Sequence, residues 1–251
     1  TGPESGEIVW KWSFWDHLVQ DCNPNAPNYV EELSDNKRRL NINYHDLGES
    51  YDWLHCNGID YNPELDQIII SSRHTSELYI IDHSTTTEEA ASSEGGTYGR
   101  GGDFLWRWGN PSVYGIEGNV QQRLYQQHNP AWIPEGFPDA GKVTVFNNLA
   151  EFPFGGQGPY SEIGIINTEI NEDGSYNFHN NGSFEPFGFH WTYTGEVLGE
   201  NFWSEIESGT SMLANGNFLS SLAVGGRFVE VNRQGEVVWV YQNPVAFNPV
   251  D

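Results

Sequence analysis

The chain has 251 residues, enough for one large β domain, and no stretch of linker composition divides it. Its formal charge is −24, from 35 acidic against 11 basic residues, so its field repels phosphate backbones and nucleic acid is not an expected partner. No apolar run reaches the length of a membrane span, which argues against helical insertion into a bilayer.

Aromatic residues make up 14% of the chain and Met occurs once, while 28 Gly and 13 Pro supply turns; this composition favours many short strands over helices. In chain order the first element is GEIVWKW at Gly6–Trp12, read as a strand of alternating polar and aromatic residues. Cys22 follows and, with Cys56, can form one disulfide or remain as two thiols; neither has metal or redox spacing. Pro27–Arg39 carries Val30 and Leu33 at helical spacing and is expected to form a short helix with a solvated charged face.

The aromatic strand returns as DFLWRWGNP at Asp103–Pro111, FHWTYTG at Phe189–Gly195 and GEVVWVYQNP at Gly235–Pro244. Each return is preceded by an aliphatic strand, at Leu78–His83, Ile163–Ile170 and Arg227–Asn232. Before these come Asp66–Arg73, Lys142–Asn148 and Asn217–Leu222. Three strands and a fourth, repeated, describe an all-β fold of four-stranded antiparallel blades, a β-propeller. The expectation is one domain over residues 1–251, with three blades preceded by the last strand of another. A β-sandwich is the alternative if the tryptophan repeat has no structural meaning. Three blades are too few to close a ring, so either missing blades or a second copy of the chain is expected to complete it. The start at Thr1, inside what reads as a loop, fits a processed or longer parent.

The polar insertions Ser84–Gly102 and Glu151–Pro159 read as loops around the mouth of a central channel. NEDGSYN at Asn171–Asn177 lacks the terminal glutamate of a calcium loop and is read as a β-turn. His74 and His83 are separated by a strand, too far to share a metal, and no metal or cofactor is expected.

Three histidines stand where a strand begins from a channel-side loop: His55, His74 and His128. Asn57 follows His55 and Asn129 follows His128, as though one structural position recurred in successive blades. Imidazole can serve as nucleophile or proton carrier near neutral pH, and Arg73, one of few cations here, is shaped to hold two oxygens of a sulfate. The competing view is that both imidazoles bond loop carbonyls while Arg73 pairs with Asp60 or Glu77.

The strings DWLHCNGIDYNPELDQIIISSRHTSELYIIDHSTTTEEAA, GGTYGRGGDFLWRWGNP, QHNPAWIP, SGTSMLANGNFLSS and GEVVWVYQNP resemble the bacterial arylsulfate sulfotransferase family, from about Gly6 to Pro244. The resemblance implies a six-bladed propeller, secreted, at the cell surface or in the periplasm. In it, a channel histidine takes a sulfuryl group from an aryl sulfate and passes it to a phenol without a nucleotide donor. Carried over, His55 and His128 become catalytic, and Arg73, Asn57 and Asn129 hold the substrate. Two departures stand out: Glu162 occupies a position where an arginine is expected, and only His179 and His190 remain as later candidates for the family's nucleophile. The alternative function is a non-catalytic secreted propeller used for surface binding, adhesion or structure.

Overall fold

The computed structural model describes residues 6–44, 52–116, 121–150 and 160–245. Two short strands, β1 (Leu18–Val19) and β2 (Leu40–Asn41), pair in parallel ahead of the main body. The first sheet holds β3 (Cys56–Asn62), β4 (Gln67–Ser72), β5 (Glu77–Asp82) and β6 (Trp106–Trp108). The second holds β7 (His128–Trp132), β8 (Val143–Asn147), β9 (Glu162–Ile166) and β10 (Trp191–Tyr193). A small hairpin of β11 (Glu196–Val197) and β12 (Glu200–Asn201) leads to the third sheet, β13 (Gly209–Met212), β14 (Phe218–Leu222), β15 (Arg227–Val231) and β16 (Val237–Gln242).

Spatial order equals chain order in all three sheets, and every pairing in them is antiparallel. The first strands lie side by side, β3 against β7 and β7 against β13, so each sheet is a propeller blade with its first strand innermost. Close approach of these strands depends on two glycines. A Cβ on Gly58 would stand 2.4 Å from Pro130 Cδ, and one on Gly209 would stand 2.7 Å from Asn129 Oδ1.

Apolar residues from facing blades fill the spaces between sheets. Ile69, Ile80, Trp132, Val143 and Val145 pack between the first two blades; Phe146, Ile165, Phe218 and Val229 pack between the second and third. The tryptophan repeat has a geometric basis. Trp106 and Trp108, two residues apart, share a face of β6, and their rings lie 6.5 Å apart at 5°. Their indole N–H groups donate to Glu185 O and Pro186 O at 2.7 and 2.6 Å. Trp239 and Tyr241 on β16 repeat the ladder at 6.2 Å and 8°, but remain 48% and 46% exposed.

Several expectations change. Gly6–Trp12 is not a strand: among the described residues it joins no ladder, and its indoles bind the Ser84–Gly102 insertion instead, Trp10 to Thr85 Oγ1 and Trp12 to Gly102 O. That insertion is only partly loop, since it contains the helical turn α1 (Thr87–Ala90), closed by reciprocal bonds between Thr86 and Glu89. The segment 151–159 lies outside the described residues. Helix is confined to a 3₁₀ turn at Leu33–Asn36 in the Pro27–Arg39 segment, because Asn28 and Val30 exchange backbone bonds with Gln20. Cys22 and Cys56 are unpaired thiols, both exposed, the first approached by Asn43 Nδ2 at 3.2 Å. Asn171–Asn177 does form a turn, with Gly174 N–H donating to Asn171 O at 2.9 Å.

Candidate active site at the head of the inner strands

His55 immediately precedes β3 and His128 opens β7, so two neighbouring inner strands present an imidazole at the same end. Both strands are bulged there: the register slips between Cys56 and Gly58, and again between His128 and Ala131. A bulge bends its strand and re-aims the side chains beside it. Left-handed backbone accompanies the bulges, at His55 (φ 47°), Gln126 (φ 54°) and Asn129 (φ 54°). Such conformations persist in residues with a Cβ only where neighbouring structure holds them. Here backbone bonds from Arg73 N to His55 O and from His74 N to Leu54 O do so at 3.2 and 3.3 Å.

The β4–β5 turn delivers Arg73 and His74 to this end. The rings of His55 and His74 lie 5.0 Å apart. Nδ1 of His55 donates to the Asp52 carboxylate, and Nδ1 of His74 donates to the Asp52 carbonyl at 2.6 Å. Arg73 donates to His74 Nε2 at 3.1 Å and to Gln126 Oε1 at 2.5 Å. Among the described residues these bonds use two of the five guanidinium N–H groups. His74 has its proton on Nδ1 and its lone pair toward Arg73, so it is neutral. Burial holds its pKa below the imidazole range, and the positive charge of Arg73 acts the same way.

His128 is 8% exposed, and its Nδ1 lies 2.8 Å from Asn148 Oδ1. The amide cannot turn round, because its Nδ2 donates to Ser204 O and Glu207 O at 2.8 and 2.9 Å. Nδ1 of His128 therefore carries the proton. Burial pushes this imidazole below its ordinary range, and the charge of Arg73 pushes the same way, against the hydrogen bond to Asn148.

The remaining candidates have other partners. Asn57 Nδ2 donates to Gln127 O at 2.8 Å, and Asn129 Oδ1 accepts Thr210 N–H at 2.8 Å; these two amides link blade to blade. Arg73 pairs with neither Asp60 nor Glu77: Asp60 accepts Trp132 N–H at 2.8 Å, and Glu77 binds Arg107. His179 lies against Phe187 and 3.5 Å from Glu185, and His190 lies 3.2 Å from Asp139, so each is engaged away from the cluster. Glu162 faces Asn147, Thr192 and the charge of Arg123; burial raises its pKa to about 7.

Asp52, Gln126 and Asn148 went unnoticed in the sequence. Gln126 and Asn148 bond groups that lie 53 and 20 or more positions away, while Asp52 meets His55 three residues on with its carboxylate and His74 with its backbone carbonyl. Among the described residues, Asp52, His55 and His74 form the one group with ligand atoms near enough for a metal, within 4.8 Å of one another. Both His74 nitrogens are already bonded, one of them to a cation.

A family model described as Arylsulfotransferase (ASST) matches residues 3–240. No curated protein matches the chain. Solved structures it resembles include a Bacteroides caccae protein of unknown function (13% identity, TM-score 0.36, covering 75% of this chain and 46% of that one). A virginiamycin B lyase from Staphylococcus aureus is similar at 12% identity and TM-score 0.36, over 75% and 41% of the two chains. The β-propeller domain of Cps50 (Swd1) from Myceliophteria thermophila is similar at 11% and 0.39, over 75% and 44%. The chain spans less than half the length of each.

Proposed function

The chain belongs to the arylsulfotransferase family, and from that premise we propose that it moves a sulfuryl group from an aryl sulfate to a phenol through a histidine. The observation that supports this reading is the meeting of His55, Arg73 and His74 at one end of the inner strands, with His55 held by a carboxylate and His128 opening the neighbouring inner strand at the same end.

His55 is the nucleophile in this scheme. Its Nδ1–H is directed at Asp52, which leaves the Nε2 lone pair for attack and supplies a counter-charge once the ring becomes cationic. Nε2 bonds to sulfur, the S–O bond to the aryl oxygen breaks, and the phenolate leaves with the electron pair. Arg73 neutralises charge on the sulfuryl oxygens through its remaining N–H groups. The acceptor phenol then gives its proton to neutral His128, its oxygen attacks the same sulfur, and the N–S bond breaks, restoring His55. His128 returns the proton to solvent or to the departing phenolate. Asn57 and Asn129 brace the inner strands and keep the acceptor side in register.

No nucleotide, metal or other cofactor enters this chemistry. We place the protein outside the cytoplasm, secreted, at the cell surface or in the periplasm of a bacterium, as part of a six-bladed ring completed by further blades or another copy. The test is a coupled assay with 4-nitrophenyl sulfate as donor and phenol as acceptor. Release of nitrophenol that depends on phenol, abolished in both His55→Ala and His128→Ala, supports the reading. Turnover equal to wild type in either variant removes that histidine from its role. A wild-type chain that binds 4-nitrophenyl sulfate without turning it over supports the non-catalytic binding module instead.

A further inference from the structure

The three inner strands begin alike in backbone but not in chemistry. Left-handed residues stand at or beside the head of each: His55 before β3, Asn129 in β7, and Glu207 (φ 52°) and Ser208 (φ 77°) before β13. The first two blades place an imidazole there, and the third does not. Its β14–β15 turn, residues 223–226, also lacks the arginine and histidine that the β4–β5 turn carries at Arg73 and His74. What the third blade brings to this end is a pair of backbone carbonyls, Ser204 O and Glu207 O, and both are taken by Asn148.

Asn148 is fully buried immediately after β8. Its amide hydrogens go to those two carbonyls and its Oδ1 faces Nδ1 of His128 at 2.8 Å, so one side chain joins the second blade's imidazole to the third blade's loop. The loop is fastened on its far side as well. Ser204 N–H donates to Ser161 Oγ at 2.9 Å, and that hydroxyl donates to Asn148 O at 2.8 Å. Val224 N–H donates to Ser204 Oγ and Ala223 N–H to Ser208 Oγ, each at 3.1 Å, which ties the loop to the β14–β15 turn. Turning the amide over would set its oxygen against two carbonyl oxygens and leave both without a donor. An Nε2–H tautomer of His128 would likewise set two lone pairs against each other across the bond to Asn148.

We infer that Asn148 is a positioning residue and that the third blade acts through it: the 204–208 loop orients the amide, and the amide holds His128 with its proton on Nδ1 and its basic lone pair on Nε2. Which nitrogen of a neutral imidazole is protonated is set by the hydrogen bonds the ring makes, and free histidine, without such a partner, favours Nε2–H. Asn148 touches no reacting atom in the proposed chemistry; it acts through His128. Its effect on turnover rests on the sulfuryl-transfer reading, in which His128 takes the acceptor's proton. Its effect on the tautomer does not.

Long-range proton–nitrogen NMR spectra of the whole chain with isotope-labelled histidine, taken at about pH 8 where a buried imidazole is neutral, read the tautomer directly. The His128 signals are identified by their loss in His128→Gln. Wild type is expected to show a protonated Nδ1 and an unprotonated Nε2. In Asn148→Leu, which has neither the acceptor nor the donors, the Nε2–H form should become the major one, and kcat in the nitrophenyl sulfate assay should fall about 100-fold. Asn148→Asp, which keeps an oxygen toward Nδ1, should restore the Nδ1–H form and part of the rate. Ser161→Ala loosens the loop without touching His128 and should give a mixture of tautomers. A proton on Nε2 in wild type overturns the inference, and an unchanged tautomer in Asn148→Leu overturns the role of Asn148. An unchanged tautomer in Ser161→Ala overturns the part given to the third blade. Should Asn148→Leu lose its cooperative melt, Asn148→Asp and Ser161→Ala carry the test. A wild type that holds Nδ1–H without turning over substrate leaves the tautomer lock in place and overturns sulfuryl transfer alone.

Discussion

Arg73 donates to Nε2 of His74 at 3.1 Å, and this one bond sets the protonation of the histidine and the direction of the guanidinium together. His74 is a positioning residue in the proposed reaction: it touches Arg73, which would touch the sulfuryl group. His74→Ala should therefore lower kcat by about tenfold with the chain still folded, and His74→Gln, which can still offer an oxygen to Arg73, should recover part of it. The split between the two variants, measured in the nitrophenyl sulfate assay, distinguishes positioning from a bulk effect on stability.

Lysine cannot replace the fork of Arg73. Arg73→Lys keeps the charge but cannot donate at once to Gln126, His74 and an oxygen pair, so kcat/KM should fall about 10- to 100-fold. A value within twofold of wild type would show that only charge matters at this position.

The pH profile reports on His128. Burial, and then the charge of Arg73, lower its pKa, so the neutral form that would accept the phenol proton in the proposed reaction persists below the ordinary imidazole range. Activity is expected to stay level through neutral pH and to decline only on the acid side. In Arg73→Met one lowering influence is gone, and the acid limb of the residual activity should move to higher pH. An unmoved limb would detach His128 from the titration.

Glu162 makes stability depend on pH in the opposite sense from an ordinary surface carboxylate. Its pKa rises from about 4.5 unfolded to about 7 folded, chiefly through burial. The folded state binds the extra proton, so the contribution is fully present below the unfolded value and is lost as pH rises through 7. The loss amounts to roughly 3 kcal/mol at most, since a tenfold change in proton affinity corresponds to about 1.4 kcal/mol. Glu162→Gln should flatten the fall in melting temperature between pH 5 and 8; the same slope in wild type and variant would assign it to another group.

Arg107 and Glu77 form an ion pair with both side chains fully buried, Arg107 Nε donating to Glu77 Oε1 at 2.9 Å. Removing one partner strands a charge, and Arg107→Met should destabilise by about 3–5 kcal/mol. The double variant Arg107→Met/Glu77→Leu should recover much of that loss in urea unfolding, because no unpaired charge is left. A double variant as unstable as the single one would show that the bonds from Arg107 to the carbonyls of Lys37 and Arg39 dominate.

Period-two alternation and the return of paired aromatics made the blades legible in the sequence, since a pleated strand must place residues two apart on one face, as Trp106 and Trp108 show. The same local logic misread Gly6–Trp12, because a strand also needs a partner ladder, and no sequence pattern says whether one is within reach. His55, Arg73 and His128 could be named from motif and residue chemistry. Their assembly with Asp52, His74, Gln126 and Asn148 was decided by tertiary structure alone. Two bulges, one turn and the side-by-side packing of β3 and β7 bring these groups together from as many as 96 positions apart, between Asp52 and Asn148. Hydrogen bonds and pKa shifts act over ångströms in space, and separation along a chain carries no information about that distance until the backbone has folded.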